Sequence, residues 1–95
     1  MGTNSKIYFP NGDIFEGEVK DNEPHVGIMK YKKNYEGLFI KFDGGFKNAI
    51  PDGFGKFYFK EDMWVQGFIR NGLPYGKVVF SNKGKETKCD YSDLI

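Results

Sequence analysis

Phe15-Glu16-Gly17-Glu18-Val19, Phe42-Asp43-Gly44-Gly45-Phe46 and Val65-Gln66-Gly67-Phe68-Ile69 are three versions of one five-residue phrase, apolar–x–Gly–x–apolar. Alternate residues of a strand point to opposite faces. Each phrase therefore sets two bulky side chains on one face with a glycine between them. Glycine inside a strand costs backbone entropy, so its recurrence in equivalent places needs a packing reason. A ring lying over the missing side chain of a neighbour supplies one. The opposite face carries Ile14, Glu16 and Glu18, then Lys41, Asp43 and Gly45, then Trp64, Gln66 and Phe68. It changes from copy to copy, as a face that meets solvent or a partner does.

The phrases belong to a longer repeat. Tyr8-Phe9-Pro10-Asn11-Gly12-Asp13-Ile14-Phe15-Glu16-Gly17 aligns without a gap on Tyr58-Phe59-Lys60-Glu61-Asp62-Met63-Trp64-Val65-Gln66-Gly67 at an offset of 50. Phe46 to Gly53 aligns on Ile69 to Gly76 at an offset of 23. Each unit reads as a hairpin whose first strand follows a glycine: Gly27-Ile28-Met29-Lys30-Tyr31, Gly53-Phe54-Gly55-Lys56-Phe57, Gly76-Lys77-Val78-Val79-Phe80. Turn-forming residues such as Pro10-Asn11-Gly12-Asp13 lead to the second strand. A polar connection ending in Pro24, Pro51 or Pro74 then reaches the next glycine, since proline suits a connection rather than a central strand. The expected architecture is all-β, a single-layer elongated antiparallel sheet of consecutive β-hairpins. The 95 residues make a single domain with units near 7–27, 28–53 and 54–76 and a partial one at 77–91. In the last, Lys83-Gly84 is a turn, and Thr87, Cys89 and Tyr91 alternate, with Cys89 near the glycine place.

Composition agrees. Gly is 13 and Phe plus Tyr 16 of 95 residues, while Ala49 is the single alanine and Leu38, Leu73 and Leu94 the only leucines. A helical bundle leans on Ala and Leu, so an all-α fold is disfavoured. Fourteen Lys+Arg against 13 Asp+Glu gives a net charge of +1, which argues against a strongly electrostatic partner such as nucleic acid. Cys89 is the lone cysteine, so no intramolecular disulfide and no cysteine-based metal site is expected. Met1-Gly2 opens like a myristoylation signal but has Lys6 where Ser or Thr is required. The expected compartment is the cytoplasm.

The units resemble MORN (membrane occupation and recognition nexus) repeats, whose pattern is roughly Tyr-x-Gly-x-Trp/Phe, a polar connection, then Gly-x-Gly-x-aromatic. The resemblance spans about Ile7 to Phe80. It is carried by Phe15-Glu16-Gly17-Glu18-Val19 with Pro24-His25-Val26-Gly27, by Phe42-Asp43-Gly44-Gly45-Phe46 with Pro51-Asp52-Gly53-Phe54-Gly55-Lys56-Phe57, and by Val65-Gln66-Gly67-Phe68-Ile69 with Pro74-Tyr75-Gly76. Met29 and Val78 stand where the family has its second glycine, Val65 replaces the leading aromatic, and about five extra residues occur around Lys32–Gly37. The structural repeat positions are Gly17, Gly27, Gly44, Gly53, Gly67, Gly76, Phe15, Phe42, Phe46 and Phe57. The resemblance implies scaffolding or targeting roles, and its name adds membrane lipid as a ligand.

The residues point to no chemistry of their own. His25 has no Ser or Cys partner nearby in sequence. Gly53-Phe54-Gly55 lies in a strand rather than a phosphate loop. Glu16, Glu18 and Asp43 read as a solvated face. No cofactor or metal is expected, and the chain is read as a non-enzyme. The changeable face gathers Trp64, Phe68, Tyr58, Phe54, Ile14 and Tyr8, and clustered exposed aromatics mark interfaces. The leading expectation is a small module that binds a protein partner through these residues, as adaptor, scaffold or immunity-type inhibitor. The second is weak phospholipid contact through Lys32, Lys33, Lys83, Lys85 and Lys88. Single-strand nucleic-acid binding ranks last. The edge near Ile7–Phe9 is the place for an edge-to-edge homodimer.

Overall fold

A computed structural model describes residues 3–94 of the chain. The Met1-Gly2 reading lies outside them, and so does Ile95.

The chain is all-β. Among the described residues nine strands run β1 (Thr3–Tyr8), β2 (Ile14–Lys20), β3 (Glu23–Tyr35), β4 (Phe39–Lys47), β5 (Ile50–Lys60), β6 (Met63–Arg70), β7 (Leu73–Pro74), β8 (Lys77–Asn82) and β9 (Lys85–Asp90), followed by a 3-10 turn, Tyr91–Asp93. They form one open antiparallel sheet in the order β1-β2-β3-β4-β5-β6-β8-β9, with the short β7 also on β6. The folded chain extends 36 × 24 × 22 Å along its principal axes. Among the described residues no helix is long and apolar enough to cross a membrane.

The connections that end in proline are themselves hairpins. Asp21-Asn22, Asn48-Ala49 and Asn71-Gly72 sit at the tips, each pair with both φ angles positive, between 53° and 82°. This is the type I′ pattern, whose twist matches that of the flanking strands. Asn, Asp and Gly take this conformation readily. Ala49 pays a steric cost for its Cβ there.

Behind each tip the register slips. In the first unit His25 is the extra residue, since Glu18 pairs Val26 and Val19 pairs Pro24. In the second unit Gly45 faces Asp52, Gly53 and Phe54, because Gly44 pairs Gly55 and Phe46 pairs Pro51. The third repeats this arrangement, with Ile69 on Pro74 and Gln66 on Val79. Gly53 (φ 87°) and Gly76 (φ 70°) are the residues that turn these bulges, and open space surrounds the place of a Cβ on either.

Two cross-strand files run along the inner face. One is Ile7–Phe15–Met29–Phe42–Phe57–Val65–Phe80. The other is the glycine file, Gly17–Gly27–Gly44–Gly55–Gly67. Phe15, Phe42, Phe57 and Val65 are fully buried. The Phe15 ring lies over Gly17 and Gly27, the Phe42 ring over Gly44 and Gly55, and the Val78 side chain over Gly67. Val78 in turn pairs Cys89, so Cys89 continues the glycine file, as the half-unit reading expects.

Pairing assigns the glycines differently from their spacing after proline. Gly27 belongs with Gly55, not with Gly53 and Gly76, because the first bulge is shorter than the other two. The extra residues of the second unit make β3 the longest strand, at 13 residues. Four of them, Tyr31–Asn34, bulge opposite Ile40, and the excursion folds back over the inner face. Tyr35 stacks between Tyr31 (4.8 Å) and Phe57 (5.6 Å), and its hydroxyl donates to the Gly72 carbonyl at 2.9 Å. The C-terminal turn covers the same face, with Tyr91 buried and Leu94 packed on the core. An open sheet thereby gains a core without a second layer.

Candidate functional site

The outer face follows from the same register. One file reads Tyr8–Ile14–Lys30–Lys41–Tyr58–Trp64–Ser81–Glu86. The next reads Lys6–Glu16–Ile28–Asp43–Lys56–Gln66–Val79–Lys88. Charges of both signs are interspersed, and no basic stripe forms.

The six partner-contact candidates fall into three cross-strand pairs. Tyr8 pairs Ile14 on β1 and β2, at the far end of the sheet. Tyr58 pairs Trp64, and Phe54 pairs Phe68, both on β5 and β6. Tyr58 and Trp64 are half-buried and already have company. Lys41 Nζ stands 4.5 Å from the Tyr58 ring and Lys56 Nζ 4.0 Å from the Trp64 ring, geometries in which the ring face attracts the ammonium. Lys41 also bonds Glu61 at 3.0 Å.

Phe54 and Phe68 differ. Their rings meet edge to face at 5.3 Å, yet they remain 53% and 58% exposed. They wall a shallow depression of about 200 Å³ floored by Gly67, Val78 and Val79, with Gln66 at its side and Lys77 and Lys88 at the rim. The sequence reading found the two rings but missed Val79 and Lys77, and it named Lys88 only as a lipid contact. The signal for them was the period-two pattern of Lys77-Val78-Val79, usable once Lys88 is registered against Val79.

A second concavity lies on the inner face. It holds about 300 Å³ between Phe9, Asn11, Asp13, Met29, Tyr31 and the β4–β5 tip. Asp13 is fixed there. Its Oδ1 accepts from the Lys32 backbone N–H at 3.0 Å and its Oδ2 from Asn11 Nδ2 at 3.1 Å. The Tyr31 hydroxyl is buried without a hydrogen-bond partner. Burial, and then the neighbouring Tyr35 and Asp13, push its phenol far above the usual range, so it stays protonated.

His25 Nε2 lies 4.0 Å from Glu18 Oε1 on the β3 bulge, and Cys89 is half-buried on β9. Among the described residues no group of three or more His, Cys, Asp or Glu is placed to hold a metal ion. The chain matches no protein-family model and no curated protein.

Proposed function

We propose that this chain is a non-enzymatic MORN-like repeat module that binds a protein partner through its outer face, at the Phe54–Phe68 depression. The observation that carries this reading is two phenylalanines paired with each other, each more than half exposed. With a little over half of each ring in water, roughly half of the 1.5–3 kcal/mol that full burial of such a side chain supplies is forgone, a cost that a partner's apolar surface would recover. The floor is apolar and the rim cationic, so the matching element is an aliphatic or aromatic anchor with an acidic neighbour. The interspersed charges of the outer face favour such shape-led contact over a phosphate backbone or an anionic membrane. The alternating glycine and apolar files support the MORN-like reading.

Selection from a displayed peptide library tests it. The expected result is enrichment of peptides with an apolar anchor beside Asp or Glu, lost with Phe54→Ala/Phe68→Ala, a variant that keeps its far-ultraviolet circular dichroism. Binders indifferent to that variant, or sedimentation with anionic vesicles in place of peptide binding, would overturn it.

A further inference from the structure

We propose that the free edge of β1 is a dimer interface, at which β1 of a second copy adds antiparallel and makes one sheet continuous across a two-fold axis. This edge lies at the far end of the sheet from the Phe54–Phe68 depression and does not depend on it.

The sheet ends in β1 and β9, and among the described residues no strand pairs with the outer side of either. An open edge presents unpaired N–H and C=O groups, and charged side chains guard such edges against further pairing. β9 has that guard: Lys85, Glu86, Lys88 and Asp90 are four of its six residues. β1, Thr3-Asn4-Ser5-Lys6-Ile7-Tyr8, has a single charge, Lys6. The backbone groups that β1 turns outward follow from its last bonds. The Phe9 N–H donates to the Asp13 carbonyl and the Phe9 carbonyl accepts from the Gly12 N–H, both at 2.9 Å, so Phe9 faces inward. Successive residues of an antiparallel strand alternate in this respect, which turns Asn4, Lys6 and Tyr8 outward.

A two-fold partner must set outward residues opposite outward residues. Three registers keep two or more such pairs within β1. An axis through Lys6 puts two ammonium groups directly opposite, which destabilises a sheet. An axis through Ser5 joins two exposed serines and buries little apolar surface. An axis through Ile7 joins the two half-buried isoleucines, so the aromatic file runs from Phe15 through Ile7 into Ile7 and Phe15 of the second copy. Lys6 of each copy then pairs with Tyr8 of the other, giving four backbone hydrogen bonds. Tyr8 is 68% exposed, with its own Lys6 Nζ 5.9 Å from the ring centroid. The second Lys6 adds another cation beside that ring.

Pairing β1 with β9 of the next copy would instead be open-ended. The register that continues both inner files, Ile7 on Thr87 and Ser5 on Cys89, puts Lys6 on Lys88. The two-fold arrangement avoids that clash of charge and leaves a guarded β9 at each end, so assembly stops at two.

Sedimentation equilibrium of the full chain from about 1 μM to about 1 mM tests this. The expected result is a reversible monomer–dimer equilibrium with no larger species. Lys6→Pro removes one outward N–H per copy, two of the four bonds, and spares those to β2. It should weaken dimerisation about tenfold or more and leave the far-ultraviolet circular dichroism unchanged. Cross-linking reads the register independently of that variant. With Cys89→Ser in the background, oxidised Ile7→Cys should give a disulfide-linked dimer, because its two copies form a close, non-hydrogen-bonded pair. Ser5→Cys should not. A monomer at every concentration, species that keep growing, or a dimer that a folded Lys6→Pro chain retains would overturn the proposal. Cross-linking through Ser5→Cys in place of Ile7→Cys would overturn its register.

Discussion

The Phe42 ring lies over Gly55, across the strand boundary, and its Cζ stands 2.8 Å from where a Cβ on Gly44 would be. Gly44 and Gly55 are paired, and their own backbones leave no more room: the Gly55 Cα and the Phe54 carbonyl oxygen are 2.8 and 2.9 Å from that same point. The aromatic file and the glycine file are thus one device. Each ring fills the space that its glycine neighbours vacate.

Gly44→Val and Gly55→Ala should both destabilise the chain, because Phe42 is fully buried and has nowhere to go. Overpacking of this kind costs about 1–3 kcal/mol, and each kcal/mol is worth roughly 4–8 °C of melting temperature in a domain of this size. Adding Phe42→Leu to Gly55→Ala should restore part of the loss. Thermal unfolding checks it, and an unchanged midpoint for Gly44→Val would mean the ring does not occupy the glycine file.

How much of this was open to sequence reading is clear from particular residues. Phe15/Gly17, Phe42/Gly44 and Val65/Gly67 declare the inner face by period two alone, and the offset of 50 correctly equates the Tyr8–Ile14 and Tyr58–Trp64 pairs. Spacing after proline matched Gly27 to Gly53, whereas pairing matches it to Gly55. Both follow Pro51 closely, and which one joins Gly44 depends on bulge length, which pairing settles. The tips were legible in principle, since Asn71-Gly72 is a strong hairpin signal, but Asn48-Ala49 is not. The folding of Tyr31 and Tyr35 over the core depends on contact with Gly72, 37 residues from Tyr35, and nothing local encodes it. The outer depression was half legible: exposed rings can be read from strand parity, whereas its floor and rim need β8 and β9 in register.

Ala49→Gly should raise stability. Ala49 holds φ 63°, a conformation that costs an L-residue roughly 1–2 kcal/mol. Glycine removes that cost but adds unfolded-chain entropy of about 0.4–1 kcal/mol. The net gain is about 0.5–1 kcal/mol, a rise of several degrees in the melting midpoint. A fall would show that the Cβ at the β4–β5 tip makes a contact worth more than its strain.

Two tyrosines in one stack should respond to hydroxyl removal with opposite signs. Tyr35→Phe removes a part-buried bond to Gly72, costing about 0.5–1.5 kcal/mol. Tyr31→Phe removes a buried hydroxyl that has no partner, so its desolvation penalty disappears and stability holds or rises. Urea unfolding of the pair measures the difference, and a larger loss for Tyr31→Phe than for Tyr35→Phe would reverse the reading.

Stability should fall on the alkaline side. Burial raises the phenols of Tyr31, Tyr35 and Tyr91 above their ordinary value of 10.0; nearby charges add to this, first Tyr35 and then Asp13 for Tyr31, and Glu36 for the other two. A raised acid keeps its proton in the folded chain while the unfolded chain releases it. Above pH 10 the folded state therefore binds more protons, and the unfolding free energy declines as pH rises. Below that value all three are protonated in both states and the dependence from them vanishes. The urea midpoint should accordingly be insensitive to these groups up to about pH 9 and drop beyond pH 10. Tyrosinate absorbance should lag behind that of the urea-unfolded chain over the same range. Tyr31→Phe, which removes the most strongly raised of the three, should make the decline shallower. A decline of equal slope in that variant would show that Tyr31 is solvated.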